Sequence, residues 1–123
     1  MASEIKTFQD LEAWQEAHKF VLFVYEITNN FPKSEKFSLI NQMRRAGVSV
    51  TSNIAEGFSR LSYSEKIRFY SIAHSSLTEL QNQIILSHDV HYLTDKNYQD
   101  IFSQSVKVHK ILNGLIKSSR LRL

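Results

Sequence analysis

The sequence has no cysteine, one proline and three glycines among its 123 residues. Without thiols there is no disulfide, no thiolate nucleophile and no cysteine-based zinc site, so packing alone must hold the chain together, and a reducing compartment suits it. So little proline and glycine argues against disorder and against a turn-rich β sandwich. Long apolar runs are missing too. No stretch approaches the ~20 residues of a membrane-spanning helix, and the opening Met-Ala-Ser-Glu-Ile-Lys has neither the basic region nor the apolar core of a signal peptide. A soluble, cytoplasmic protein is expected. The length suffices for one hydrophobic core and leaves no room for a second, so residues 1–123 read as a single domain.

What the sequence does have is helical periodicity. Four segments, roughly 8–30, 35–58, 63–91 and 95–118, are separated by breaks at Pro32, Arg60 to Ser62 and Tyr92 to Thr94. The first carries Leu11, Trp14, Ala17, Val21, Val24, Tyr25 and Thr28 on one face. The second carries Ile40, Met43, Gly47, Val50, Ile54 and Gly57, the third Tyr70, Ala73, Leu77, Leu80 and Ile84, and the fourth Tyr98, Ile101, Ser105, Val108, Leu112 and Leu115. Ser34 is the expected N-cap of the second segment and Thr94 that of the fourth, while Ser62-Tyr63-Ser64-Glu65 has the capping-box form. Alternating three-four spacing favours knobs-into-holes packing at shallow angles. Matched lengths and short connections then predict an all-α, antiparallel up-down-up-down four-helix bundle.

Two features point to self-association. The first segment has a second apolar stripe, Ala13, Ala17, Phe20, Val24, Ile27 and Phe31, offset from the first. The outer side of the second carries Gln42, Arg45, Ser49, Ser52, Asn53 and Glu56. Small hydroxyl and amide residues permit close approach, whereas a solvated face is usually rich in Lys and Glu. Arg45, Ser49, Asn53, Glu56 and Glu79 are therefore the candidate interface or buried polar residues. Arg45 and Glu56 are about 16 Å apart along the axis and need separate partners, with Glu79 or another subunit expected to answer Arg45.

The run Gln42-Met43-Arg44-Arg45-Ala46-Gly47-Val48-Ser49-Val50, followed by Asn53-Ile54-Ala55-Glu56-Gly57-Phe58-Ser59-Arg60, resembles the signature of the four-helix-bundle proteins encoded by intervening sequences in bacterial 23S ribosomal RNA genes. Phe8 to Trp14, Phe31 to Glu35, Arg68 to Ala73 and Ser76 to Leu80 match the same pattern in order, so the resemblance covers Phe8 to Leu93. Two departures are Gly47, where alanine is frequent, and Ala73-His74-Ser75-Ser76, where a glycine often precedes the serine. The resemblance implies a ring-like homopentamer. It also implies kinship with accessory variability proteins of diversity-generating retroelements, which are positively charged and bind nucleic acid and a reverse transcriptase.

Charge is uneven along the chain. Residues 1–35 hold three basic and six acidic side chains, whereas residues 106–123 hold Lys107, Lys110, Lys117, Arg120 and Arg122 with no acid. The bland reading is a helix C-terminus whose dipole is complemented by cations, ending in a frayed basic tail at 118–123. The sharper one is phosphate contact, multiplied if several subunits present the arm together. Arg44, Arg60, Lys66 and Arg68 are expected to cluster at the corner between the second and third segments and to add to it, with Tyr63 available for base stacking. No base-reading motif is present, so binding would follow charge and shape.

Signs of catalysis are weak. His88 and His91 stand three apart, but no Glu-x-x-His motif completes a bundle-type metal site, and His74 reads as a lone, hydrogen-bonded or exposed histidine. The serines lack a nucleophile elbow or partnered His and Asp, and no glycine-rich phosphate loop exists. The expectation is a non-enzymatic oligomeric scaffold or accessory protein without metal or cofactor, binding RNA or DNA nonspecifically. A protein-interaction module with no nucleic-acid role is the alternative. A hydrolase with a composite site around Glu56 and Glu79 is a distant third.

Overall fold

The computed structural model describes residues 4–123. Among them are four α-helices and no strand: α1 (Glu12–Thr28), α2 (Leu39–Ser59), α3 (Tyr63–Asp89) and α4 (Asp95–Arg120). Each helix packs on its neighbours in sequence, α4 closes against α1, and the diagonal pairs make no direct backbone contact. This is an antiparallel up-down-up-down four-helix bundle.

The rods are not matched in length, spanning 17, 21, 27 and 26 residues. Local hydrogen bonding shortens the first two. Phe8–Asp10 form a 3₁₀ turn, and the Lys6 and Thr7 amides donate to the Asp10 carboxylate at 2.9 and 3.0 Å. Leu11 is extended, so α1 starts at Glu12 rather than at 8. Ahead of α2, Lys33–Glu35 form a second 3₁₀ turn; Ser38, not Ser34, precedes the helix, and its hydroxyl donates to Glu35 at 2.7 Å instead of capping. The later caps agree with expectation. Ser62 Oγ accepts from the Glu65 amide at 3.2 Å and Thr94 Oγ1 from that of Asn97 at 3.1 Å, each contributing about 1 kcal/mol.

The expected seam of α1 is largely right, with Leu11, Ala17, Val21, Val24 and Thr28 buried, while Trp14 is half-buried and Tyr25 exposed. The correction concerns the second stripe: Ala13, Ala17, Phe20, Val24, Ile27 and the following Phe31 are also buried within the single chain. The stripe expected to face a sister chain is thus part of the bundle's own core and needs no partner to cover it. On α4 the buried positions are Ile101, Ser105, Val108, Leu112, Ile116 and Ser119. Their spacing averages that of a straight helix, which drifts off a strict heptad and brings Ile116 inward in place of Leu115. Phe20, Met43, Ile54, Leu77, Leu80, Ile84, Ile101 and Leu112 are fully enclosed, each worth about 1.5–3 kcal/mol of burial.

Gly57 sets how closely α2 and α3 meet. A Cβ there would lie 2.6 Å from Tyr70 Cε1 and 3.2 Å from Phe69 Cβ, so only a glycine fits without movement. At Gly47 the corresponding contacts, to the two Val21 methyls, are 3.3 Å. The tight crossing thus falls beside the turn that forms one end of the bundle.

Candidate nucleic-acid interface

Antiparallel topology brings the last turns of α2 and α4 and the first turn of α3 to one end. There the Arg122 guanidinium lies 5.7 Å from the centre of the Tyr63 ring, and Lys66 Nζ lies 6.0 Å from the same ring. Two groups of cations far apart in sequence, Arg60, Lys66 and Arg68 on one side and Lys117, Arg120 and Arg122 on the other, share this surface. The second group does not sit on a frayed tail, because α4 continues through Arg120 and is closed by the Leu121 and Arg122 amides bonding to Lys117 O and Ser119 O.

These cations are not equally free. Lys66 Nζ donates to Phe58 O at 2.6 Å and Gly57 O at 3.5 Å, clamping the final carbonyls of α2, and burial pushes its pKa down. Arg68 Nε meets Glu65 Oε2 at 2.9 Å, a hydrogen bond that holds the Glu65 carboxyl below its usual range and raises the guanidinium. Arg60 pairs with Glu56 at 3.5 Å and lies 4.4 Å over the Phe69 ring. Lys107 reaches Glu16 at 3.4 Å. Among the described residues Lys110, Lys117, Arg120 and Arg122 form no ion pair. From Lys110 to Arg122 the chain thus carries four cations without an ion pair and no acid.

Arg44 does not belong to this corner. It stands sixteen residues before Arg60 on the same helix, about 24 Å away at 1.5 Å per residue, and folds onto the C-terminus of α1. Its Nε donates to Thr28 Oγ1 at 3.0 Å, its Nη2 to Asn29 Oδ1 at 2.9 Å and Tyr25 O at 3.3 Å, and its guanidinium stacks 4.7 Å over the Tyr25 ring. The arrangement is a helix cap supplied by the next helix, like that of Lys66.

The outer face of α2 has an intramolecular explanation in part. Ser49 Oγ is 2.7 Å from Ser76 Oγ on α3, and Asn53 Nδ2 donates to Ser49 O and Oγ at 2.8 and 3.1 Å. Small polar residues here let α3 approach within one chain. Above this contact is a hollow of about 450 Å³ lined by Phe37, Arg45, Ser49, Ser76 and Glu79. Arg45 and Glu79 share the hollow without pairing among the described residues, whereas Glu56 is answered by Arg60. Level with Phe69 rather than Ser76, Glu56 lies about 15 Å along the axis from Glu79, so the two carboxylates do not converge.

The histidines fall into different roles. His91 adopts φ 66° just beyond α3, where its amide bonds to His88 O at 3.0 Å and the Tyr92 amide to Ser87 O at 2.9 Å, the hydrogen-bond pattern of a Schellman cap. His88 Nε2 is 2.7 Å from Asp95 Oδ1 and its ring stacks on Tyr98. They therefore point to separate tasks rather than to one metal. His74 is not lone: its Nε2 is 2.9 Å from that of His109 on α4. No local pattern in the sequence signals a pair 35 residues apart.

The geometry places the protein among small antiparallel four-helix bundles, here with cations of three helices gathered at the end where α2 and α4 finish. The chain belongs to the 23S rRNA-intervening sequence protein family, whose model matches residues 9–114 and so takes in most of α4 as well. It is also similar to a solved structure from Bacteroides thetaiotaomicron VPI-5482, a protein with unknown function from the S23 ribosomal protein family. The two are 24% identical, with 85% of this chain and 95% of that one covered at a TM-score of 0.79, a likeness that concerns the fold. Among curated proteins none matches. No helix of the described residues is long and apolar enough to cross a membrane.

Proposed function

We propose that the protein is a non-enzymatic, self-associating accessory factor of the cytoplasm that binds RNA or DNA nonspecifically through the cationic end of its bundle. The observation that carries this reading is the approach of Arg122 and Lys66 to the Tyr63 ring, at the end of α4 that also carries Lys117 and Arg120. Phosphates would contact the unpaired cations of α4 first, and Tyr63 offers a face for an unstacked base. Self-association is supported by the α2–α3 hollow, where Arg45 and Glu79 lie unpaired beside the highly exposed Phe37. A homopentamer is the assembly that the family resemblance implies. Five copies of the cationic end would raise affinity by avidity as well as by charge.

A gel-shift titration with single-stranded and duplex RNA and DNA at rising salt tests the reading. Binding should weaken steeply as salt increases; an oligomer without affinity even at low ionic strength would remove the function. The second reading, a module that docks a protein such as a reverse transcriptase, draws on the same hollow and on Phe37. It predicts that charge reversal at Lys117, Arg120 and Arg122 leaves partner binding unchanged, whereas Phe37→Asp or Glu79→Lys abolishes it.

A further inference from the structure

In the groove between α3 and α4, each helix contributes one histidine to a half-buried site. His74 Nε2 and His109 Nε2 are 2.9 Å apart, with ring centroids at 4.6 Å and planes inclined at 46°. Asn113, one turn along α4, places its amide nitrogen 3.4 Å from His109 Nδ1. Beside the pair a hollow of about 250 Å³, lined by Ser71, Ser75, Asn113 and Arg120, opens to solvent. No other described pair of imidazoles faces across two helices in this way.

From this juxtaposition we infer that His74 and His109 form a two-imidazole site for a divalent transition-metal ion, completed by water in the adjoining hollow. At the 2.0–2.1 Å bond length usual for imidazole ligands, two nitrogens 2.9 Å apart subtend about 90° at a shared metal. A tetrahedral ion would need them roughly 3.3 Å apart, so either geometry requires a shift of only a few tenths of an ångström. The preference among ions then follows their intrinsic order of affinity, with Cu2+ foremost.

The protons can be followed. In the metal-free pair one Nε2–H donates to the other Nε2; with the Asn113 amide donating to His109 Nδ1, that proton resides on His109. For both Nε2 lone pairs to bind metal, His109 must carry its proton on Nδ1 instead. Half a turn of the Asn113 amide then presents Oδ1 as the acceptor, the orienting second contact that ligating histidines usually have. No proton is lost, since each neutral imidazole keeps one. Arg120 at the rim of the hollow opposes a cation, and among the described residues no third His, Cys, Asp or Glu joins the pair. The protein therefore supplies two ligands, and the site is one of modest affinity.

The test uses the untagged full-length chain, titrated with Cu2+, Ni2+ and Zn2+ by calorimetry and, for Cu2+, by electron paramagnetic resonance. One Cu2+ per chain, tighter binding of Cu2+ than of Ni2+ or Zn2+, and hyperfine coupling to two nitrogens are expected. His74→Gln and His109→Gln should each weaken Cu2+ binding at least ~10-fold, while His18→Gln, His88→Gln and His91→Gln stay within about twofold. Absence of Cu2+ binding at micromolar concentration, or binding unaffected by changing His74 or His109, overturns the site. Should the glutamine variants unfold, Asn113→Asp at an exposed position decides. A carboxylate behind His109 should tighten Cu2+ several-fold, and unchanged or weaker binding counts against the proposal. These results are independent of any affinity for nucleic acid.

Discussion

The two ends of the bundle use one device and leave different cations free. At the end where α1 passes to α2, Arg44 grips the last turn of α1 through Tyr25 O, Thr28 Oγ1 and Asn29 Oδ1; at the other, Lys66 clamps the final carbonyls of α2. Around the first, Lys96 pairs with Asp100 at 3.0 Å and His88 with Asp95 at 2.7 Å, while Lys33 and Lys36 join no ion pair among the described residues. Around the second, Arg60 and Arg68 are paired with Glu56 and Glu65, while Lys117, Arg120 and Arg122 join no ion pair among the described residues. The lesson is that cations serving structure and cations open to a ligand cannot be separated by counting basic residues. What separates them is whether a carbonyl or carboxylate lies within reach after folding.

Several changes would break or sharpen this contrast. The largest effect is expected from reversing charge at Lys117, Arg120 and Arg122 together, which should lower nucleic-acid affinity ~100-fold or more at low salt. Reversing Lys33, Lys36 and Lys96 at the opposite end should change it only a few-fold, and equal losses from both ends would erase the distinction. The readout is gel shift or fluorescence anisotropy across a salt series.

Next is Gly57→Ala. Its methyl group would meet Tyr70 at 2.6 Å and force α3 away from α2 beside the cationic end, at a cost of about 2–3 kcal/mol. Gly47→Ala meets the Val21 methyls at 3.3 Å. Better helix propensity offsets that crowding and leaves stability within about 1 kcal/mol of the parent. Chemical denaturation of both variants measures the difference.

Alkaline pH offers a third probe of the same corner. Burial, then the neighbouring Tyr63, push the Tyr70 hydroxyl up to about 12, above its ordinary value near 10.0. Because the folded-state value is the higher one, this stability is fully present below pH ~10 and is lost as pH rises toward ~12, by about 3 kcal/mol at most. Tyr70→Phe should flatten that decline, as followed by denaturant midpoints across the range.

Two smaller effects concern the helix ends. Arg44→Ala leaves the Thr28, Asn29 and Tyr25 oxygens without their donor and should cost about 1–2 kcal/mol. Lysine cannot reproduce the forked, stacked geometry and should restore only part of it. His91→Gly should stabilise by up to about 1 kcal/mol, since φ 66° suits glycine better than histidine. Thermal unfolding checks both.

Much of the fold is legible in the chain. Ile40, Met43, Gly47, Val50, Ile54 and Gly57 are read correctly as the α2 seam, and Ser62 and Thr94 as caps, because periodicity and capping are local properties. The reading of α1 was incomplete for a physical reason. It has two overlapping apolar stripes, and the position of α2 and α4 encloses most of both, leaving Trp14 half-buried and Tyr25 exposed. Ser34 gave way to Ser38 because the 3₁₀ turn after Pro32 delays the helix. Of the candidate site, the basic run of α4 is visible in sequence. The occupation of Arg44, Lys66 and Arg68 by intramolecular partners is not, and neither is the pairing of His74 with His109.

The sequence alone thus determined that four amphipathic helices form, roughly where each ends, and that the last is basic, because hydrophobic spacing, capping side chains and charge are carried by residues a few positions apart. Only the tertiary structure decided that both apolar stripes of α1 are core, which cations remain unpaired, and which histidines meet. Those outcomes depend on distances between residues 15 to 35 positions apart, which the chain acquires only when antiparallel packing fixes the height and facing of each helix.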